Sequence, residues 1–366
     1  MKFGVFLTTA YYPKWTQEEV FDNTGVYAVE AERLGYDGAW LLEHHFTRFG
    51  LTPHPVTLAS YILGKTTTLR VGTAVCVLPF YHPLQMAEQV AMVDQLSNGR
   101  FDFGVGRGSY QKDFEAFGVD PSKSHVIMRE WLDIIKRAWT EDAVEAHSEL
   151  IDFPPVPLYP TPRVKPHPPI YVVCESPSST EWVASQGYPM ILSWWLEREA
   201  IRAQVELYDE VARSHGHDPS KAEHVLSAIA CVADSQTEAK DQIRDSLGWW
   251  RKVAKEAFLQ FEQLRKLDNY EFVLRRWEDQ VLAGQGDPDA GERATLERLL
   301  DLNLIGTPDE CVEKIQDIFD TTGVRHFVVG FEGAGDRART LESMRRFAQE
   351  VIPRAHEGVG TRIGVQ

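Results

Sequence analysis

The chain has 366 residues, of which 43% are hydrophobic and 11% aromatic, so it can bury a large core and global disorder is excluded. The formal net charge of −16 argues against nucleic acid and against an anionic membrane surface as partners, because both require a basic face. No apolar run approaches the ~18 residues that a membrane span needs.

The four cysteines lie far apart and form no Cys-x-x-Cys motif, so we expect no disulfide bond and no metal site of the zinc type. The first apolar run, Phe3–Leu7, is too short for a signal peptide core and predicts a strand. We therefore expect a cytoplasmic protein in a reducing environment.

Short apolar runs alternate with amphipathic stretches along the chain. They are rich in consecutive Val, Ile, Leu and Phe, as in parallel strands buried on both faces. The predicted strands are 2–8, 38–43, 70–78, 101–106, 169–174, 189–194, 225–233 and 324–331. The sequence Thr16-x-x-Glu19 predicts a helix with a capping box, and Thr307-Pro308 begins a late helix. Eight βα alternations favour a (β/α)8 TIM barrel, in a single domain over 1–366, rather than an open doubly wound sheet.

Two stretches interrupt the regular repeat. Residues 151–169 contain eight prolines and predict an extended excursion. Residues 258–291 are charged and end near Gly284, Gly286 and Pro288, which predicts a mobile active-site loop or a disordered one.

Functional groups of a barrel lie at the carboxyl ends of its strands. This rule selects five stretches, which we expect to meet at one end of the barrel. They are Glu43-His44-His45, the region after Ala74-Val75, Gly106-Arg107-Gly108, Glu175-Ser176 and Ser193-Trp194.

An anion site is predicted after the fifth strand. Ser176 is a natural N-cap with Pro177 at the first helical position, and free amides and hydroxyls at a helix N-terminus bind anions. Arg107, on the neighbouring strand, would add a guanidinium. The alternative is that the serines only cap the helix.

Three hypotheses apply to Glu43, His44 and His45. A shared metal is disfavoured, because adjacent strand residues point to opposite faces and no second histidine pair supports it. A pair of hydrogen-bonded core histidines is the common case, whereas a position at a strand end followed by aromatic residues favours a catalytic acid/base. A glycosidase using Glu43 and Glu175 is a further, lower-ranked alternative. His125 is interpreted as a surface or loop residue.

The region 40–50 then supports a family assignment. Together with Leu41–Phe46 and Phe49-Gly50, matching stretches extend over nearly the whole chain. They include Val71–Ala74, Gly99–Phe101, Lys112–Phe114, Tyr171–Val173, Pro189–Trp194, Gly306–Pro308 and Gly330–Glu332. The chain resembles the luciferase-like flavin-dependent monooxygenases, and within them the α subunit of bacterial luciferase.

The resemblance implies a barrel that binds reduced FMN supplied by a separate NAD(P)H:flavin reductase. In this family O2 adds at flavin C4a, and the resulting hydroperoxide oxidises an organic molecule, here a small and fairly apolar aldehyde, ketone, terpene or heterocycle. His44 would be the catalytic acid/base, supported by Glu43 and His45. A homodimer through helices 55–67 and 83–97 is expected.

The resemblance also assigns cofactor and substrate residues. The FMN phosphate would be held by Arg107, Glu175, Ser176 and Ser179. The ring would contact Trp194 and Val173, with a cis peptide at Ala74-Val75 behind it. Aromatic residues would line the substrate pocket, with core packing as the alternative for each: Phe46, Tyr110, Phe114, Phe117, Trp250 and Phe261.

Departures from the luciferase pattern limit what the resemblance implies. Gly106 stands where the luciferase α subunit has a reactive cysteine, so the pocket is expected to gain room. Ala283 and Gly286 replace two lysines, so light emission does not follow. Two other readings stay open, a deazaflavin (F420)-dependent dehydrogenase and a non-catalytic subunit like the luciferase β chain.

Overall fold

The computed structural model describes residues 1–257, 270 and 288–363. Most of the predicted loop 258–291, including Phe261, therefore lies outside the described residues.

The described chain contains twelve strands in two sheets. They are β1 Lys2–Leu7, β2 Gly38–Leu41, β3 Arg70–Thr73, β4 Cys76–Val77, β5 Phe101–Gly106, β6 Val144–His147, β7 Asp152–Val156, β8 Ile170–Val173, β9 Met190–Leu192, β10 Val225–Val232, β11 Leu304–Gly306 and β12 His326–Gly330. Eight parallel strands pair in the order β1-β2-β3-β5-β8-β9-β10-β12, and β12 pairs with β1 to close a barrel. The predicted (β/α)8 barrel is confirmed.

Helices surround this barrel. They are α1 Gln17–Leu34, α2 Pro55–Lys65, α3 Pro83–Leu96, α4 Gln111–Phe117, α5 Ser124–Thr140, α6 Pro177–Ser185, α7 Arg198–Ser214, α8 Gln236–Ala257, α9 Pro288–Leu302, α10 Pro308–Thr322, α11 Arg337–Arg346 and α12 Ile352–Ile363. The predicted helix starts are confirmed, because Thr16 and Thr307 each form a capping box with the glutamate three residues later. No helix in the described ranges is long and apolar enough to cross a membrane.

One predicted strand is divided in the structure, the extended excursion contains one strand of a hairpin, and one strand was not predicted. The strand predicted at 70–78 is divided into β3 and β4 around Ala74-Val75, whose peptide bond is cis as the resemblance implied. The excursion at 151–169 begins with β7, which pairs antiparallel with β6; proline is tolerated there because a two-stranded hairpin leaves alternate N–H groups unpaired. A further strand, β11, has only three residues, adds to the end of β10 and was not predicted from the sequence.

Trp40 is 2% exposed and is the largest side chain of a buried apolar cluster, whose other members are Phe6, Leu42, Tyr171, Ile191, Val225 and Val328. A Cβ added to Gly72 would lie only 2.6 Å from the indole of Trp40, and a Cβ added to Gly4 would lie 3.1 Å from it. Tyr171 packs edge-on against the indole at 5.1 Å. Two glycines therefore make room for one large side chain, which closes the barrel below its carboxyl end.

Gly104 in β5 provides a test of this close packing. An added Cβ would lie 1.8 Å from the carbonyl oxygen of Thr73, and backbone of β3 cannot move aside cheaply. We expect Gly104→Ala to lower the free energy of unfolding by about 1–3 kcal/mol or more, measured by urea denaturation. Gly64→Ala is the control, because the space around Gly64 in α2 is open; alanine should raise stability there by up to about 1 kcal/mol. Equal effects of the two substitutions would contradict this account.

Candidate active site

A cavity of about 210 Å³ opens at the carboxyl end of the barrel strands. Five segments that are distant in sequence meet there, as the strand-end rule predicted. The predicted residues that line it are Glu43, His44, Ala74, Val75, Arg107, Tyr110, Val173, Glu175, Ser176, Ser179, Trp194 and Trp250. His45, Phe46, Gly106, Phe114 and Phe117 are described but do not line it.

His44 lies in an aromatic setting at the wall of the cavity. Its ring is 4.2 Å from Phe49 and 4.9 Å from Tyr110, centroid to centroid. Burial, with a smaller contribution from His45, lowers the pKa of His44 to about 3, so the imidazole is neutral at neutral pH. Its buried Nδ1 makes no hydrogen bond to any described residue, so the described chain does not fix the tautomer. His44 is therefore a neutral imidazole, with one ring nitrogen that can donate a hydrogen bond and one that can accept.

Glu43 and His45 form a pair behind His44. Glu43 Oε1 lies 3.0 Å from His45 Nε2, and Oε2 accepts a hydrogen bond of 3.0 Å from the backbone N–H of Val77. The Glu43 side chain is fully buried and that of His45 is 9% exposed. This pair ties the segment after β2 to β4.

Asp113 interacts electrostatically with both members of this pair. It was not predicted from the sequence as a site residue. Its carboxyl is buried and lines the cavity, and Oδ1 has no hydrogen-bond partner within the described ranges. Burial raises the pKa of Asp113 to about 7, with His45 opposing and Glu43 adding to the shift. Asp113 is therefore a carboxyl that changes charge near neutral pH.

Three of the predicted pocket aromatics form a separate cluster. Phe117 stacks on Phe80 at 4.9 Å and lies 4.7 Å from His45, and Phe114 packs against Phe80 at 5.5 Å. Phe46 has a positive φ of 54°, which turns its side chain outward to 63% exposure. Because α4 presents Phe114 and Phe117 to the side of His45 and Phe46 is largely exposed, none of the three lines the cavity in which the sequence placed them.

The N-terminus of α6 forms one end of the cavity. Ser176 caps the helix, and its Oγ accepts a hydrogen bond of 3.3 Å from the N–H of Ser179, while Ser179 Oγ accepts one of 3.1 Å in return. Glu175 Oε1 accepts a hydrogen bond of 2.5 Å from Ser193 Oγ. The serines thus cap the helix, as the alternative interpretation expected, and they also face the cavity.

Two basic residues on α5 face the same end. His125 and Arg129 are one helical turn apart and both line the cavity with Arg107. Nδ1 of His125 and Nε of Arg129 are buried without a hydrogen-bond partner in the part of the chain that is described. The pKa of His125 is lowered by burial and then by the two arginines, and the pKa of Arg129 by burial and then by Arg107. An anion placed among these groups would supply the missing partners and reverse their mutual repulsion.

The interpretation of His125 as a surface residue was therefore wrong. The spacing of four residues between His125 and Arg129 is a signal that the sequence does contain, since it places two basic groups on one helix face. What it does not reveal is that this face turns toward the end of β8 and not toward solvent.

The middle of the cavity has an apolar wall. Ala74, Val75 and Val173 lie on one side of it, and Trp194 and Trp250 lie 5.2 Å apart. Trp250 comes from α8, which packs on Phe49 and Tyr12 through Trp250 and Trp249. The cavity therefore combines a basic end, an apolar slot and a neutral histidine, a combination that suits a flat ligand carrying an anionic group. No group of three His, Cys, Asp or Glu side chains suited to a metal occurs among the described residues.

Comparison with known sequences gives the class of enzyme. The family described as luciferase-like monooxygenase matches residues 1–326, and the chain belongs to this family. The predicted family and the predicted enzyme class, a monooxygenase, are thereby confirmed.

Individual relatives and structures show how far the similarity extends. The chain is 41% identical over 353 residues to the alkanal monooxygenase alpha chain of Photorhabdus laumondii, covering 96% of this chain and 97% of the relative. It resembles the crystal structure of the monooxygenase RslO1 from Streptomyces bottropensis with a TM-score of 0.80 and 25% identity, covering 96% of this chain and 99% of that one. The oxygenating constituent of 3,6-diketocamphane monooxygenase from Pseudomonas putida, a type II Baeyer–Villiger monooxygenase solved with FMN, has the same fold, with a TM-score of 0.77 and 22% identity over 96% of this chain and 98% of that chain.

Proposed function

We propose that this protein is a monooxygenase that uses reduced FMN and O2 to oxidise a small, fairly apolar carbonyl compound. The observation that carries the proposal is that one cavity contains two kinds of group. At one end lie Arg107, His125 and Arg129, with buried nitrogens of the last two lacking hydrogen-bond partners among the described residues, and at the wall lies the buried, neutral His44. The relationship to alkanal monooxygenase alpha chains supports an aldehyde, and the likeness to a Baeyer–Villiger enzyme supports a ketone as the second substrate to test.

The residues present fit the FMN phosphate. Arg107 and Arg129 would pair with its charge, while Ser176, Ser179 and the first amides of α6 would donate hydrogen bonds. Hydroxyl and guanidinium groups reach this end of the cavity from three separate elements, so the phosphate would meet donors from each of them. Reduced FMN, when bound, would supply the electrons that activate O2.

The remaining residues prepare the site for oxygen chemistry. Val75, Val173 and Trp194 would hold the ring and exclude water from it, because apolar walls remove the hydrogen-bond partners that solvent needs. His44 would move a proton to or from the substrate, since its ring is neutral and the described chain leaves its Nδ1 unpaired.

We also propose that a separate NAD(P)H:flavin reductase supplies the reduced FMN. Among the described residues the cavity has one basic cradle, which the FMN phosphate would fill. The chain would then act as the oxygenase component, with the reductase as its transient partner.

Stopped-flow mixing tests the activity directly. Anaerobic reduced FMN is bound to the protein and then mixed with O2, and we expect a transient absorbance spectrum that differs from those of both oxidised and reduced free FMN. NADH and FMN without a reductase should give no NADH consumption. Reoxidation as fast as in buffer, with no distinct spectrum, would contradict the proposal, and tight binding of reduced F420 in place of FMN would favour the dehydrogenase alternative.

Replacing His44 tests its role in proton transfer. We expect His44→Ala to lower the rate of aldehyde or ketone oxidation by about 100-fold, while the dissociation constant for FMN changes little. Added imidazole should restore part of the rate. His82→Ala is the control, because His82 precedes α3 without a side-chain capping bond and does not line the cavity. Equal losses of FMN binding and rate in His44→Ala, without rescue, would indicate a structural histidine.

A homodimer through α2 and α3 is proposed as well. Leu96 and Met92 on α3 are 74% and 48% exposed, and Tyr61 on the neighbouring α2 is 45% exposed, so these helices offer large apolar side chains to a second copy. Light scattering should give twice the 41.6 kDa of the chain. Met92→Glu with Leu96→Glu should halve this mass, whereas Tyr159→Glu, at another exposed apolar position, should leave it unchanged. A wild-type monomer would refute the dimer.

A further inference from the structure

The apolar wall of the cavity contains a tight contact at Gly106. A Cβ added to Gly106 would lie 2.6 Å from Cγ2 of Val75 and 2.9 Å from Cγ1 of Val173. Real Cβ atoms do not approach other carbons so closely, so no side chain fits at this position without a shift of its neighbours. Gly106 itself does not line the cavity, whereas both valines do.

The expectation that the pocket gains room at Gly106 was therefore wrong. The volume that a side chain at 106 would use is already filled by the γ-methyl groups of Val75 and Val173. Valine is branched at Cβ and has few allowed rotamers, so its methyl groups cannot swing freely. Their other face borders the cavity, and a side chain at 106 would push them into it.

We infer that Val75 and Gly106 form one complementary packing unit, the Val75–Gly106 pair, which sets the position of the wall against which the flat ring of the cofactor lies. This inference rests on the proposed function, because it assigns the wall to the flavin ring. Val75 is then a positioning residue: its Cγ2 methyl replaces the side chain that is absent at 106, and the glycine is what permits that methyl to sit there.

The pair also determines the chemistry of the wall. All four cysteines of the chain are buried, and none lines the cavity. Burial raises the pKa of Cys76 and Cys174, which lie nearest in sequence to Val75 and Val173, so these thiols stay protonated. With position 106 closed to any side chain, the wall beside the ring presents only methyl groups and backbone, with no thiol to be oxidised or alkylated.

A double-mutant cycle tests the pair. The variants are Gly106→Ala, Val75→Ala, Val173→Ala, Val75→Ala with Gly106→Ala, and Val173→Ala with Gly106→Ala, with Gly64→Ala as a control for alanine at an open glycine. Two quantities are measured for each: the thermal midpoint of the protein without cofactor, and the affinity for FMN by fluorescence titration.

We expect Gly106→Ala to lower the thermal midpoint and to weaken FMN binding by at least about tenfold. Adding Val75→Ala should restore most of both losses, although Val75→Ala alone weakens binding by leaving a gap in the wall; the cycle is then strongly non-additive. If Gly106→Ala does not fold, a folded double variant supports the pair equally well.

Three results would overturn the inference. They are additive effects of the two substitutions, a double variant that is no more stable than Gly106→Ala, and rescue by Val173→Ala in place of Val75→Ala. Failure of the proposed function gives a different pattern, because wild-type protein would then not bind FMN at all while the thermal cycle would still show the coupling of Val75 and Gly106.

Discussion

A parallel barrel must fill its own interior, and in this protein the largest side chain of the cluster around Tyr171 and Val328 is the indole of Trp40. Trp40 occupies space released by Gly4 and Gly72 and packs against Tyr171. The indole occupies the barrel below the carboxyl ends of the strands, and the cavity lies at those ends. The position of the active site is thus a consequence of core packing before any catalytic group is considered.

Burial then sets the charge of the groups that face this volume. His44 and Asp113 lie in the same wall and respond in opposite senses, because desolvation penalises whichever form is charged. It lowers the pKa of the imidazole to about 3 and raises that of the carboxyl to about 7. Both groups are therefore neutral in mildly acidic solution, and above about pH 7 the carboxyl alone becomes charged. At the other end Arg107, Arg129 and His125 crowd positive charge and donors together, an arrangement that an anion stabilises.

The wall formed by α8 depends on charges outside the cavity. Trp250 reaches the site from α8, and α8 is joined to α9 by ion pairs: Glu292 accepts from Arg251 at 3.0 Å and from Lys255 at 2.5 Å. Lys240 pairs with Asp301 at the far end of the same helix pair, at 2.5 Å. Each such pair contributes only about 0.2–1 kcal/mol when exposed, and the apolar cluster that includes Leu247, Trp250 and Leu299 joins the same two helices. The wall that Trp250 forms is thus supported by surface charge as well as by apolar packing.

The sequence by itself determined the barrel, the family and most of the set of side chains at the strand ends. Strand periodicity, capping boxes and the rule that barrel sites form at carboxyl ends are local or topological properties, so residues such as His44, Arg107 and Ser176 could be selected without coordinates. Only the tertiary structure decided which neighbours face the cavity. It turned Phe46, Phe114 and Phe117 away, brought His125, Arg129 and Asp113 in, and showed the space at Gly106 to be filled by Val75. The physical reason is that side-chain direction and close packing depend on contacts between segments far apart in the chain, and spacing along one segment does not contain that information.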